Sequence, residues 1–344
     1  MPSSAERRPV VLTLGLGQLD EQLSPLRDLG VETLAADLAM PWDEISARRR
    51  GDLDGPAPEV PQAVRDLLAR ADVLFGFYVP RDVITLAPRL RWLSTPSTGL
   101  DHLRGTGVLE SDVEVTNVGG LFGPVLAEHA FAGILYFAKR LGHFEAQRRA
   151  GTWQMGQVGT LQGRTLGLVG IGNIGRAVAT RAQAFEMRVI GVGRQPPTGR
   201  TVPGVDEVLP RERLRELLTA SDYVVVAVAE TSETRGMIGA DELAAMQTHA
   251  VLVNVARGTV IDEPALVEAL RAGRIAGAAL DVFATEPLPE TSPLWELPNA
   301  LVTPHVAALV PDYMERAAVH FVENVRRYVG GEPLVDRYDR SRGY

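Results

Sequence analysis

Apolar residues follow two different rhythms along this chain. Short runs rich in β-branched and aromatic residues, "VVLTL" (Val10 to Leu14), "DVLFGFY" (Asp72 to Tyr78), "LRWLST" (Leu90 to Thr95) and "VEVTNV" (Val113 to Val118), alternate with longer stretches of helical pattern. Such alternation predicts parallel βα units. A second series begins at Thr165: "TLGLV", "RVIGV", "DYVVVAV", "AVLVNV", "IAGAALDV" and "ALVTP". These runs are almost continuously apolar, as a parallel sheet covered by helices on both faces requires. The expected fold class is therefore α/β, with two doubly wound parallel sheets.

Two helices stand out between and after these series. The stretch "PVLAEHAFAGILYFAKRL", Pro124 to Leu141, is apolar on nearly every face, so it is expected to be buried against another domain or another subunit. His129 inside it reads as a packed helix residue, with a catalytic role as the alternative. The final helix, Pro311 to Tyr328, puts Met314, Ala317, Phe321, Val325 and Tyr328 on one stripe and stops at Gly330-Gly331, which suits packing back onto the N-terminal domain. The stretch from Pro41 to Gln62 is rich in Arg, Pro and Gly and reads as irregular. Its run Arg48-Arg49-Arg50 reads as a solvated loop or helix face.

Composition narrows the chemistry. With 344 residues and 45% hydrophobic content, the chain can bury two sizeable cores. A formal charge of -8 disfavours nucleic acid and anionic membranes as principal partners, because phosphate-rich surfaces demand a basic face. There is no cysteine, which removes disulfides, thiolate metal sites and cysteine nucleophiles; no metal is expected. The opening "MPSSAERRPV" lacks the apolar segment of a secretory signal, and no run is long enough to span a bilayer. A cytoplasmic protein acting on small molecules is the expectation.

The motif "VGIGNIGR" places Gly170, Gly172 and Gly175 directly after the strand "TLGLV" and at the start of the helical stretch "IGRAVATRAQAF". That context distinguishes a dinucleotide fingerprint from a chance G-x-G-x-x-G: one glycine makes the tight turn, one admits the pyrophosphate, and one lets helix and strand pack closely. Asn173 and Ile174 in the same turn join the candidate coenzyme site. At the end of the next strand, where an NAD site offers a carboxylate to the ribose, the chain has Gly193 and then Arg194. A guanidinium suits a 2'-phosphate, so NADP(H) is favoured and NAD(H) is the alternative. Arg194 facing solvent or stacking on adenine are the other readings.

Three polar residues follow three predicted strands: Arg257 after "AVLVNVA", Glu286 after "AALDVFAT" and His305 after "ALVTP". Singly they could be a surface charge, a loop acid before proline and a half-buried histidine. Together they suit interconversion of a 2-oxo acid and a 2-hydroxy acid. Arginine can grip the carboxylate and polarise the carbonyl, histidine can move the hydroxyl proton, and glutamate beside it can orient the ring and favour its charged form.

With "GRTLGLVGIGNIGR", "ETRGMIG", "LVNVARGTVIDEPALVEAL", "AGAALDVFATEPLP" and "VTPHVA", the chain resembles the D-isomer-specific 2-hydroxyacid dehydrogenase family over roughly its whole length. The resemblance implies two Rossmann-like domains: a flavodoxin-like substrate domain from residues 1–120 and 306–344, and a dinucleotide-binding domain from residues 121–305. It implies that Arg257, Glu286 and His305 are catalytic, that Ala256 and Asp281 belong to the coenzyme site with Asp281 at its nicotinamide end, and that backbone N–H groups of Thr98, Gly99 and Leu100 bind the substrate carboxylate beside Arg257. It also implies a homodimer through the Pro124 to Leu141 helix. Within the family, "GRQP" at Gly193 to Pro196 is similar to the NADPH-using glyoxylate/hydroxypyruvate reductase branch. Thr95 stands where phosphoglycerate dehydrogenases often have Arg, Thr98 where phosphite-oxidising relatives have Lys, and Glu286 where formate-oxidising ones have Gln. "TPHVAALVPD" departs from the usual "TPHxAG". Some family members are nucleotide-sensing corepressors that retain the same triad, so a binding protein is the alternative.

Overall fold

The computed structural model describes residues 7–16, 19–39, 41–193 and 201–343. The chain divides into two compact units, Met1–Leu121 with Val310–Tyr344, and Phe122–Leu309. Among the described residues, no helix is long and apolar enough to cross a membrane.

The first unit is built on a five-stranded sheet: β1 (Val10–Leu14), β2 (Glu32–Ala36), β3 (Val73–Gly76), β4 (Trp92–Ser94) and β5 (Glu114–Thr116), in the order β2-β1-β3-β4-β5. Every pairing is parallel. This is the flavodoxin-like order, which reverses direction between β1 and β3. The inner strands were legible because they are buried on both faces; β2 was missed because it is an edge strand with mostly exposed side chains. Leu12, Leu74 and Leu93 fill one side of the sheet. On the other lies the C-terminal helix Tyr313–Val329, where Phe321 stacks on Phe75 at 4.2 Å and Ala317 and Val325 are buried, as the stripe predicts.

The stretch expected to be irregular contains a helix, Trp42–Arg50. Its local logic is ordinary: Asp43 and Glu44 in the first turn and three arginines in the last turn complement the helix dipole, and Gly51 in the left-handed region ends it. The reading of the arginine run as solvated is corrected for Arg48, which is 0% exposed. Its Nε donates to Glu44 Oε1 at 2.7 Å and its Nη1 donates to the carbonyl oxygens of Val79 at 2.8 Å and His102 at 3.4 Å. Arg81 grips the same Glu44 carboxylate through two bonds of 2.7 and 2.6 Å. These cations hold Glu44 below the usual carboxylate range, with the Arg81 hydrogen bond the largest influence, while burial pulls Arg48 below its own. Arg49 is half-buried with Nε 3.4 Å from Asp101, and only Arg50 is exposed.

The second unit carries a seven-stranded parallel sheet: β6 (Thr165–Val169), β7 (Arg188–Val192), β8 (Glu207–Leu209), β9 (Tyr223–Val226), β10 (Val251–Asn254), β11 (Gly277–Leu280) and β12 (Ala300–Val302). Its order is β12-β11-β10-β9-β6-β7-β8, the dinucleotide-binding arrangement extended by one strand, with the switch point between β6 and β9. Strands β9, β10 and β11 are wholly buried, which is why their sequences are unbroken apolar runs. The short edge strand β8 gave no such signal. The long helix Gly123–Ala138 packs within its own unit, against the helix Asn173–Ala184 and strands β10 and β11, so the expectation of burial against another domain or subunit is corrected for this face. Gly133 permits the approach: a Cβ there would lie 2.7 Å from that of Ala279. Pro124, Glu128 and Ala132 occupy its exposed side.

Candidate active site

The glycine turn joins β6 to the helix Asn173–Ala184 at the sheet's switch point. Gly170 has φ +104°, and a Cβ there would sit 2.7 Å from the Ala227 carbonyl oxygen at the end of β9, so both backbone and space demand glycine. At Gly175 a Cβ would overlap the Gly170 carbonyl oxygen, which is the close helix–strand contact the motif encodes. Gly172 differs. Its φ of -72° is open to any residue, and a Cβ there would meet no atom of the described residues within 4 Å. Among the described residues nothing requires glycine at this position, and the open space beside it is what a pyrophosphate would need. Gly172 and Asn173 are exposed and Ile174 half-buried at the helix N-terminus, so their backbone is accessible to a ligand. The turn thus fits a dinucleotide phosphate.

Beyond β10, Ala256 is buried and Arg257 half-buried with extended backbone. Asn254, 1% exposed, braces them: its Oδ1 accepts from Ala256 N at 3.0 Å and its Nδ2 donates to the Arg257 carbonyl at 3.0 Å. The sequence reading passed over Asn254, because an asparagine at a strand end looks like any turn residue. Arg257 Nη1 donates to the Ala256 carbonyl at 2.7 Å. At Gly258 a Cβ would overlap the backbone carbonyl of Phe283, so the Arg257 turn lies directly against the segment leading to Glu286.

Glu286 and His305 meet. Glu286 Oε2 lies 2.7 Å from His305 Nδ1, and Glu286 Oε1 accepts from Phe283 N at 3.1 Å. The glutamate side chain is 10% exposed and the imidazole 29%. An ionised carboxylate only accepts, so Nδ1 carries the hydrogen of this bond. His305 is held at φ +54°, in the left-handed region. Asp281 holds that backbone: its carbonyl accepts from His305 N at 2.8 Å, Oδ1 from Val306 N at 3.0 Å and Oδ2 from Ala307 N at 2.9 Å. Thr303 Oγ1 adds a 2.6 Å bond to Oδ1. Asp281, 2% exposed, is thus the structural anchor of the 303–307 segment, a job that the sequence reading did not foresee.

In the other unit, the loop of Thr98, Gly99 and Leu100 follows β4. Asn117 Nδ2 donates to the Thr98 carbonyl at 3.1 Å while its Oδ1 accepts from Gly119 N at 2.9 Å, and Tyr313 Oη donates to the Pro96 carbonyl. His102 Nε2 lies 3.1 Å from Thr95 Oγ1, and Arg48 and Arg49 reach the same segment at His102 and Asp101. Arg194 lies outside the described residues. Its neighbour Gly193 is described, and a Cβ there would lie 2.7 Å from Ile171 Cγ1 in the glycine turn.

Residues 131–307 match the family model for the D-isomer specific 2-hydroxyacid dehydrogenase NAD binding domain. A glyoxylate reductase of Korarchaeum cryptofilum is 37% identical over 262 residues, covering 74% of this chain and 77% of its own. A D-isomer specific 2-hydroxyacid dehydrogenase of Xanthobacter autotrophicus, solved with NADPH and MES, superposes with a TM-score of 0.80 at 30% identity, covering 98% of this chain and 100% of that one. An NADPH-dependent glyoxylate/hydroxypyruvate reductase of Sinorhizobium meliloti, solved with NADP and sulfate, gives 0.76 at 27% identity, with 98% and 100% covered. Sequence, sheet order and the glycine turn agree: the chain belongs to the D-isomer specific 2-hydroxyacid dehydrogenase family and is an oxidoreductase that uses a nicotinamide dinucleotide.

Proposed function

We propose that this chain reduces a small 2-oxo acid of the glyoxylate or hydroxypyruvate type, with NADPH as the preferred coenzyme. The observation that carries the chemistry is the 2.7 Å Glu286–His305 bond beyond the carboxyl ends of the parallel strands. Glu286 fixes the ring with its hydrogen on Nδ1, so Nε2 exchanges a proton with the substrate oxygen. Arg257 pairs with the substrate carboxylate and draws electron density from the carbonyl. When bound on the Gly170–Gly175 turn, with Asn173, Ile174, Ala256 and Asp281 around it, the nicotinamide supplies the hydride. Hydride at carbon and a proton from His305 at oxygen together turn the 2-oxo acid into a 2-hydroxy acid.

Preference for NADPH is supported by the pair at the end of β7. Any side chain at 193 would press on Ile171, which disfavours the ribose-binding carboxylate, and Arg194 supplies a cation for the 2'-phosphate. Relatives solved with NADPH and NADP agree with this reading. The test is a reductase assay of glyoxylate, hydroxypyruvate, pyruvate and bulkier 2-oxo acids, each with NADPH and NADH. Highest kcat/KM for the two-carbon and hydroxylated three-carbon acids with NADPH is expected; preference for a bulky acid or for NADH would overturn the corresponding half of the proposal.

We also propose a homodimer through the outer side of the long helix. Beyond it in sequence, Leu141 is 50%, Trp153 92% and Met155 89% exposed, apolar surface that a second copy could cover. Sedimentation should give twice the chain mass, and Trp153→Asp should shift it toward one; a monomeric wild type would exclude this assembly.

A further inference from the structure

His129 was read from sequence as a packing residue, yet its contacts belong to the site. Its Nε2 lies 3.1 Å from Thr303 Oγ1 and 3.6 Å from Asp281 Oδ1, and the same Thr303 Oγ1 is 2.6 Å from that Oδ1. The direction of the chain follows from the hydrogens. Asp281 as a carboxylate can only accept, so the Thr303 hydroxyl donates its single hydrogen to it. Thr303 then has only lone pairs to offer His129, and Nε2 must carry a hydrogen. The polarity runs from imidazole to hydroxyl to carboxylate. Both the neutral Nε2–H ring and the imidazolium satisfy it; the neutral Nδ1–H ring does not.

This chain ends on the residue that holds the general acid's backbone. Asp281 takes the N–H groups of residues 305, 306 and 307, and His305 sits in a backbone region that non-glycine residues rarely adopt. A turn held against its intrinsic preference needs its anchors fixed. A carboxylate that could swing between rotamers would let the segment relax and move the His305 ring by fractions of an ångström, enough to reduce proton transfer.

We propose that His129 is a positioning residue for the reduction: through Thr303 it locks the rotamer of Asp281, and through Asp281 it locks the placement of His305. The inference rests on the roles proposed above for His305 and Asp281. It assigns the long helix a part in the chemistry in addition to its packing, and it explains a polar imidazole on a largely apolar helix.

Three substitutions and one spectrum test it. His129→Leu removes the donor, His129→Gln can return an Nε2–H to the same place, and Thr303→Val removes the middle link. Loss of one hydrogen bond predicts a fall in kcat of about fivefold to tenfold for His129→Leu and Thr303→Val, with the KM for the 2-oxo acid changed less than about twofold. His129→Gln should recover most of the loss. Combining His129→Leu with Thr303→Val should cost no more than Thr303→Val alone, because both break one chain. In the coenzyme-free protein labelled with ¹⁵N-histidine, the His129 signal, assigned by its disappearance in His129→Gln, should report hydrogen on Nε2. A neutral Nδ1–H ring, unchanged kcat in His129→Leu, or Gln no better than Leu overturns the relay. Asp281→Asn separates the two layers. If it cripples turnover while the His129 and Thr303 variants are silent, the relay alone fails; if it too is silent, the reading of the site fails with it. Because the spectrum is recorded on wild type and needs only one folded His129 variant for assignment, a neutral Nδ1–H ring overturns the relay even where another variant does not fold.

Discussion

Gly172→Ala should separate coenzyme binding from folding within a single motif. At Gly172 the backbone is already in an extended region that alanine adopts, and the added methyl group meets no atom of the described residues within 4 Å. Restricting the unfolded chain favours the alanine protein by about 0.4 to 1 kcal/mol, and placing alanine at a helix N-cap opposes this by a similar amount. The net is within roughly 0.5 kcal/mol, or about 2 °C in Tm for a unit of this size. Gly170→Ala is the contrast. There the methyl group lies 2.7 Å from the Ala227 carbonyl oxygen and φ is +104°, so backbone strain and overpacking of about 1 to 3 kcal/mol each should lower Tm by at least about 5 °C. In Gly172→Ala the methyl group would occupy the space in which the proposed coenzyme site takes the pyrophosphate. Losing charge-assisted backbone contacts of ~1.5 to 3 kcal/mol weakens NADPH about tenfold to a hundredfold. Thermal melts and titration of NADPH by nicotinamide fluorescence read the two effects on the same samples. Wild-type affinity in Gly172→Ala, or a melting loss in it as large as that of Gly170→Ala, would refute the division of labour.

Three further expectations follow from other parts of the molecule. His305→Ala should reduce turnover by ~10²- to 10⁴-fold, the usual worth of a general acid, with NADPH affinity little changed; near-normal turnover on the best 2-oxo acid contradicts its role. Glu44→Gln leaves the buried Arg48 uncompensated and should destabilise the protein by about 3 to 5 kcal/mol at pH 7, measured by denaturant unfolding. Because the folded Glu44 carboxyl sits below the ordinary glutamate range, its stabilisation is complete above that range and is lost as pH falls through the lowered value, so the gap to the variant should narrow in acid; a gap that widens toward pH 3 would be inconsistent. Arg194→Ala should weaken NADPH about tenfold to a hundredfold and NADH little, at one fixed ionic strength, and equal weakening of both coenzymes would remove Arg194 as the phosphate selector.

How far each feature could be read from sequence depended on whether its cause was local. The glycine turn was legible because its demands, a tight turn, an open approach and a close helix contact, fall within six residues, Gly170 to Gly175. The central strands were legible because burial on both faces writes itself as an apolar run. Strands β2 and β8 at the sheet edges bury too little to leave such a mark. Arg48 was misread for a different reason: the carbonyls of Val79 and His102 that make its burial tolerable are 31 and 54 residues away, and a charge satisfied by distant backbone looks in sequence like a solvated one. His129 was likewise opaque, since its partner Thr303 is 174 residues further along. Glu286 and His305, also far apart, were paired through resemblance and chemistry, and their 2.7 Å bond is a fact of the fold that no local pattern contains.

The backbone of His305, at φ +54°, has a consequence for how this protein can change. Asparagine or glycine would occupy that conformation with less strain, so the fold on its own does not select histidine there. Selection for heat resistance alone would drift position 305 away from the residue proposed above to move the proton, and each such step would look like an improvement until turnover was measured. Directed evolution of a hardier variant should therefore screen activity in every round, because at this position folding and chemistry are rival selective pressures.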